Sequence, residues 1–557
     1  MEGVKKINRI LLPSQFLLML LVVVLLPYHV VAQNEQQPLF LSVDRNLFVV
    51  GETIELKLFS NKSFLDTTDN IAYVYCDLLG QDGEVYSGEK IKLTSDLAQF
   101  RMLIPAYLQS GNYLLRAYAS NMRNNPSSYA IRWLRIVNPN DASLLSVKSG
   151  GQLELSLDTV LESTKIRVQG LDSIYEKRSF IECSFILDSS LLNPSLSLSV
   201  VKKAAYSPYH LRSRVLNLNN KMSNYIHEDQ RLFISGHLAP EKPDKHVKLS
   251  NIRVYFSIQA SNDVFSTITD SLGFFVSSLP DIYGKHEVYI TTEKLDDKIR
   301  IYVDKDFDNQ SYYSWKQPFY LSPNELKCVL SMAQNYALMK SYREEKHSAD
   351  STYSIRPFYG KADEVIQIDE YIDLPNLSMY FTELPGNVHL HKKNEGFEAR
   401  IINPQFVQLF QPPLIMVDYV VVNDLNAVLK MNPKKVDRIE IIRSDYYKGT
   451  ASFGGIINFI TKDGDFGGYD FSSSSISMTY DFLSPLRKSS DSYEGINDSI
   501  PDTRNTLLWQ PCIKIDENNK FSIKFFTSQT PGTYSIIVHG LDKDGNLIRY
   551  STDFEVR

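Results

Sequence analysis

Along most of this chain, apolar and polar residues alternate with the period of two that half-buried strands require. The run Gly111-Asn112-Tyr113-Leu114-Leu115-Arg116-Ala117-Tyr118-Ala119 is the clearest case and reads as a strand with one wet face. With Val43–Ile54 broken by a turn at Gly51, then Ala72–Leu78, the Gly80…Gly83 turn and Gln99–Leu103, it predicts one β-sandwich over residues 38–140. Leu153–Leu157, Lys165–Val168, Ser179–Leu187 and Leu196–Val201 predict a second over 141–205. Ala204–Gln230 has no period and reads as a linker or long loop. Leu232–Gly236, Asn251–Ser257 and Ser266–Val276 predict a third over 231–304, with a turn at Thr269-Asp270-Ser271-Leu272-Gly273. Asp463–Asp498 is rich in Ser, Gly and Asp and reads as a solvated loop. Phe521–Phe526, Gly532–Gly540 and the Asp544-Gly545 hairpin turn predict a last sandwich over 500–557.

Two stretches break the rhythm. Ser322-Pro323-Asn324-Glu325 forms a capping box with Pro at the first helical position. Leu326, Val329, Leu330, Ala333, Ala337 and Leu338 follow at helical spacing, predicting a connecting helix over 320–346 that joins a sandwich to the next domain. The apolar runs Leu414–Val417, Ile439–Ile442 and Ile456–Ile460, bounded by Pro, Gly and polar residues, predict three strands within 355–465. Asp437, Glu440 and Arg443 are expected where a strand meets solvent, and Gly454-Gly455 where the backbone turns sharply. The fold class expected is mainly β, with several β-sandwich domains and one small α+β domain.

Specific residues carry resemblances. Val417-Asp418, Asn432-Pro433…Val436-Asp437-Arg438-Ile439-Glu440-Ile441-Ile442 and Gly454-Gly455-Ile456-Ile457-Asn458-Phe459-Ile460-Thr461-Lys462 resemble the plug domain of TonB-dependent outer-membrane transporters. Tyr419 stands where that family has Gly, and Lys448 where it has a Tyr-Gly start. A transporter barrel needs about 22 strands of about 9–11 residues, more than twice what residues 465–557 hold, so a plug without its pore is expected. Asp44-Arg45…Gly51-Glu52-Thr53 and Ser110-Gly111-Asn112-Tyr113-Leu114-Leu115-Arg116-Ala117-Tyr118 look like a macroglobulin domain of the alpha-2-macroglobulin type. The third sandwich resembles the carboxypeptidase regulatory-like fold, a module without catalytic residues. Arg504…Trp509 before a Gly-x-Tyr sandwich looks like the closing domain of macroglobulin-like envelope proteins that carry plug-like inserts.

At the N-terminus, Lys5, Lys6 and Arg9 precede an apolar core at Phe16–Leu26, and Val30-Val31-Ala32 supplies small residues, so residues 1–32 read as a signal peptide. Pro27 and His29 cut the apolar run short of the ~20 residues a span needs, and no transmembrane segment is expected in the mature chain. Net charge of −6 offers nucleic acid no electrostatic foothold. Cys76, Cys183, Cys328 and Cys512 lack metal spacing and fall in different predicted domains, so free and mostly buried thiols are expected.

Catalytic motifs are missing. The thioester motif Cys-Gly-Glu-Gln, the Gly-x-Ser-x-Gly elbow, His-Glu-x-x-His and the phosphate-binding Gly-x-x-x-x-Gly-Lys do not occur. His389-Leu390-His391 offers two imidazoles where a structural zinc needs four ligands, and neither Asp369/Glu370/Asp373 nor Asp542/Asp544 matches a calcium loop. No enzyme activity, cofactor or metal is expected. The function expected is a binding or scaffold component of an outer-membrane assembly, periplasmic or peripherally attached. Its plug-like domain would dock to an outer-membrane protein such as a β-barrel transporter through Asp418, Gly454, Gly455 and Ile456. The alternative is a protease-binding protein without a thioester, with Ala204–Gln230 as its bait loop.

Overall fold

The computed structural model describes residues 39–60, 73–93, 97–141, 165–191, 193–206, 214–215, 231–242, 247–259, 262–293, 299–308, 313–314, 319–342, 357–383, 387–393, 396–405, 407–471, 475–485 and 501–557. The fold is mainly β, with several sandwiches and one small α+β domain. The signal-peptide region, Leu153–Leu157 and most of Ala204–Gln230 lie outside the described residues.

The first sandwich packs a three-stranded sheet (Leu39–Val43, Thr53–Ser60, Leu97–Leu103) on a five-stranded one. The larger sheet runs Leu47–Val49, Ala130–Val137, Gly111–Tyr118, Tyr73–Leu79, Val85–Lys92. Ile54, Leu56 and Leu58 share one core with Phe48, Phe100, Leu114 and Ile136, as alternation requires. The expected wet face on Gly111–Tyr118 is corrected, because every residue after Gly111 is buried. Asp306–Asp308, which follow the third sandwich, cover it. Arg116 grips Asp77 with two bonds of 2.7 Å and donates to Asp308 O at 2.6 Å. Tyr118 Oη donates to Asp77 at 2.8 Å, and Tyr129 Oη to the Asp308 carboxylate at 2.6 Å. Phe307 fills the space over Gly88, where a Cβ would lie 2.4 Å from its ring. Polar residues on an alternating strand therefore mark a buried interdomain latch here.

Residues 141–205 and 500–557 are not two sandwiches. Their strands make one. Phe180–Ile186 pairs with Lys520–Phe526, and Ser195–Lys202 lies between Gly532–Leu541 and Thr506–Gln510. Ile174–Tyr175 runs parallel to Glu555–Val556. Ile181, Phe185, Leu198 and Val200 share a core with Phe521, Ile523, Tyr534 and Ile536. Among the described residues the two segments bury their apolar faces in one shared core, so the two halves close on each other.

A second insertion sits inside the first. The middle sandwich takes Leu232–Pro240, Arg253–Ile258, Asp263–Ile268, Phe274–Leu279, Lys285–Thr292 and Ile299–Val303. It is completed by Ser475–Asp481, which pairs with Lys285–Thr291. That strand lies where a solvated loop was expected. Its alternation (Ser475-Ile476-Ser477-Met478-Thr479-Tyr480) puts Ile476, Met478 and Tyr480 against the core, outweighing the serine-rich composition. Between Val303 and Ser475 the chain makes the long helix and the α+β domain.

The helix spans Pro323–Tyr342, and its capping box is formed by Glu325 N to Ser322 Oγ at 3.3 Å and Ser322 N to Glu325 Oε2 at 2.8 Å. Its buried stripe is Cys328, Val329 and Met332, packed with Leu47, Val49, Val137 and Ala205. It wedges between the first and split sandwiches, and along the chain it lies between the middle sandwich and the α+β domain, as a connecting helix would. Of the stripe read from sequence, Leu326, Val329 and Ala333 pack here, whereas Leu330, Ala337 and Leu338 face outward.

Candidate docking domain and its mount

The α+β domain is built on a five-stranded sheet in the order Glu364–Gln367, Val436–Ile442, Ile456–Thr461, Leu414–Val417, Val420–Val421. The three strands read from sequence are its centre. Short helices at Leu377–Glu383 and Leu425–Leu429 pack on one face, burying Leu377, Tyr380, Phe381 and Val428 with Ile439, Ile457 and Phe459.

The four sequence-selected residues lie at opposite ends of the two adjoining parallel strands, Asp418 just after Leu414–Val417 and Gly454-Gly455-Ile456 at the start of Ile456–Thr461. Asp418 and Tyr419 form the two-residue turn from Val417 to Val420, both left-handed (φ 47° and 66°). The Asp418 carboxylate accepts from Thr461 N at 2.7 Å, Thr461 Oγ1 at 2.6 Å and Phe466 N at 2.9 Å, tying the turn to the end of the neighbouring strand. At the other end, a Cβ on Gly454 would meet Gln411 O at 2.0 Å. Gly455 has φ +88° and approaches Ile442 O, and Ile456 is fully buried. All four are committed to internal contacts.

A polar cluster lines the sheet's other face. Tyr359 Oη donates to Glu440 at 2.6 Å and accepts from Asn458 Nδ2 at 2.8 Å, while Arg438 Nε donates to Glu440 at 2.8 Å. Burial pushes the Tyr359 phenol well above its ordinary pKa, so it stays a donor. Glu440 is thus buried rather than at the solvent boundary expected from sequence.

The same face seats the domain on the middle sandwich. Leu414, Met416, Val421 and Ile456 form one apolar cluster with Tyr255 and Val264. Val421 N donates to Ser257 Oγ at 3.0 Å, Asn423 Nδ2 to Thr292 O at 2.8 Å, and Lys448 pairs with Asp263 at 2.5 Å. Beside this seat, Lys285, His286, Glu287, Asp418, Tyr419 and Thr461 line an open groove of about 420 Å³. Away from it, Phe410 is 89% exposed, on a loop that ends in Pro412-Pro413. Val407 on that loop, Ile372 and Tyr447 are exposed as well. No sequence motif marks them; an apolar residue outside every periodic run is the one available signal.

Among the described residues, no three His, Cys, Asp or Glu side chains come together as a metal site. His389 and His391 lie on one strand with ring centres 6.2 Å apart. No described helix is long and apolar enough to cross a membrane.

No known family profile matches the chain, and no curated protein matches it. Among solved structures it is similar to Salmonella alpha-2-macroglobulin reacted with methylamine (8% identity, TM-score 0.23, 94% of this chain and 39% of that one). Escherichia coli alpha-2-macroglobulin activated by porcine elastase gives 10% identity and TM-score 0.22 over 93% and 43%. The Yersinia pseudotuberculosis adhesin InvE gives 11% and 0.14 over 48% and 58%. The chain spans about two fifths of the length of the alpha-2-macroglobulins. Similarity this slight assigns neither family nor activity.

Proposed function

We propose that this chain is a non-catalytic binding or scaffold protein, exported to the periplasm or outer membrane. Its α+β domain presents a docking surface to an outer-membrane partner, such as a β-barrel. The observation that carries the reading is the mount. The domain is inserted within a sandwich that is itself inserted within another, and it is seated by a buried apolar cluster and direct hydrogen bonds. Such a seat fixes the domain's orientation and leaves the Phe410 loop pointing into solvent. Rigid presentation of an apolar side chain is how binding surfaces limit the entropy lost on docking. The plug-like sequence pattern supports the nature of the partner by analogy of fold.

The contact assigned to the partner moves from Asp418, Gly454, Gly455 and Ile456, which the fold uses internally, to the Phe410 loop. The test is a mild-detergent pull-down of the tagged chain from its own envelope, alongside Phe410→Asp. A stoichiometric outer-membrane barrel recovered with the wild type and lost with Phe410→Asp is the expected result. Recovery of soluble proteins alone overturns the reading, and recovery of proteases alone transfers it to a protease-binding function.

A further inference from the structure

We propose that Lys57 and Cys512 form a covalent staple between the first and split sandwiches when the protein meets peroxide. Lys57 sits on the strand Thr53–Ser60 opposite Ser42, on the face turned toward the split sandwich, where Ser42 Oγ bonds Ser197 Oγ at 2.8 Å. Lys57 is only 1% exposed, yet its Nζ stands 2.7 Å from Cys512 Sγ. Its other contact among the described residues is the Phe59 ring, 5.4 Å from the ammonium, and no described carboxylate pairs with it. A buried ammonium normally takes a carboxylate or several oxygens. Here it is aimed at a thiol. Cys512 is exposed, whereas Cys76, Cys183 and Cys328 are buried. A small oxidant thus reaches this sulfur from solvent while the amine waits behind it. The pair also corrects the expectation of one thiol per domain, since Cys183 and Cys512 both belong to the split sandwich.

The chemistry takes two steps. The thiol attacks hydrogen peroxide, one peroxide oxygen stays on sulfur as a sulfenic acid, and the other leaves as water. Lys57 then releases a proton and its lone pair attacks the sulfur. An N–S bond forms, the S–O bond breaks, and the hydroxyl leaves as a second water. Sulfur is oxidised by two electrons, peroxide is reduced to two waters, and one proton is released. A dithiol returns the two electrons and restores thiol and amine. The link closes a loop of 455 residues, which contains both inserted domains. Such a closure restrains the unfolded chain and fixes the two sandwiches against each other.

The experiment treats the full chain with hydrogen peroxide, digests it without reductant and maps the peptides by mass. Expected is a joined pair carrying residues 57 and 512, two hydrogens lighter than the separate reduced peptides, and cleaved by a dithiol. The pair is absent from Lys57→Arg and from Cys512→Ser. Cys512→Ser changes an exposed position, so its circular dichroism is expected to match wild type, and it remains informative if Lys57→Arg does not fold. A joined pair retaining one added oxygen still supports the staple: the sulfenic oxygen is then kept as an S–O–N bridge, and a second peroxide takes the two electrons and two hydrogens and leaves as two waters. Accumulation of oxygens on Cys512 with the Lys57 peptide unchanged overturns it, as does equal oxidation of the three buried cysteines.

Discussion

The first sandwich and the α+β domain are both held to the middle sandwich, but by opposite chemistry. The first sandwich is latched by ions and phenols: Arg116, Asp77, Tyr118 and Tyr129 close around Asp308 with almost no exposure. The α+β domain is seated by Leu414, Met416, Val421 and Ile456 on Tyr255 and Val264. An apolar seat weakens gradually as methylenes are removed. A buried ion network fails abruptly, because any one missing partner strands a charge. The two junctions therefore differ in how they break.

The largest effect is expected at the latch. Arg116→Met leaves the Asp77 carboxyl buried without its guanidinium and should cost about 3–5 kcal/mol in denaturant unfolding. Pairing it with Asp77→Leu should recover most of that loss, since the stranded charge is gone.

Next comes pH, through the first sandwich's other ionic junction. Asp44 accepts from Arg45 and Thr506, and Glu52 accepts from Arg45 and Asn505, joining the first and split sandwiches. Burial pushes the Asp44 pKa up to about 6, against the pull of Arg45 and the bonds from Thr506 and Glu55 N. The folded state therefore holds this proton more tightly than the unfolded chain. Its contribution to stability grows as pH falls from about 7 toward 4, by about 2–3 kcal/mol. Thermal unfolding of wild type against Asp44→Asn checks this, and the variant should lack that increment. The apolar seat should show no matching change in the hydrogen-exchange protection of Val421 and Met416, taken relative to intrinsic rates, over the same range.

The smallest effect sits beside that seat. Tyr419 occupies a left-handed turn position at φ 66°. Tyr419→Gly should relieve about 1 kcal/mol of backbone cost, offset in part by loss of the Tyr359–Tyr419 stack, and should read as a small rise in unfolding midpoint.

Local pattern made the strands legible, and it made little of their partnership legible. The central strands of the α+β domain and the capping box at Ser322 stand where sequence placed them, because each depends on neighbours a few residues away. The union of Phe180–Ile186 with Lys520–Phe526 depends on residues more than three hundred positions apart, and alternation alone specifies no partner. Arg116 misled for a related reason: a polar residue on a strand signals water only until another domain covers it. Asp418 and Gly455 stood out in sequence through a plug-like pattern, and in the fold that pattern also serves internal contacts, the Asp418 carboxylate on Thr461 and the close approach of Gly455 to Ile442 O. Phe410 carried no pattern at all, since a lone exposed ring has no period.

The nesting also sets an order of completion along the chain. The first sandwich has all its strands once Val137 is made. The α+β domain follows with Thr461, the middle sandwich with Asp481, and the split sandwich only with Val556. As the chain is synthesised, the strands from Ile166 to Lys202 wait, apolar faces open, until the middle sandwich and the α+β domain have folded between them and their partners. The molecule closes from the inside outward, and the half-sandwich that waits longest is where a chaperone would be needed.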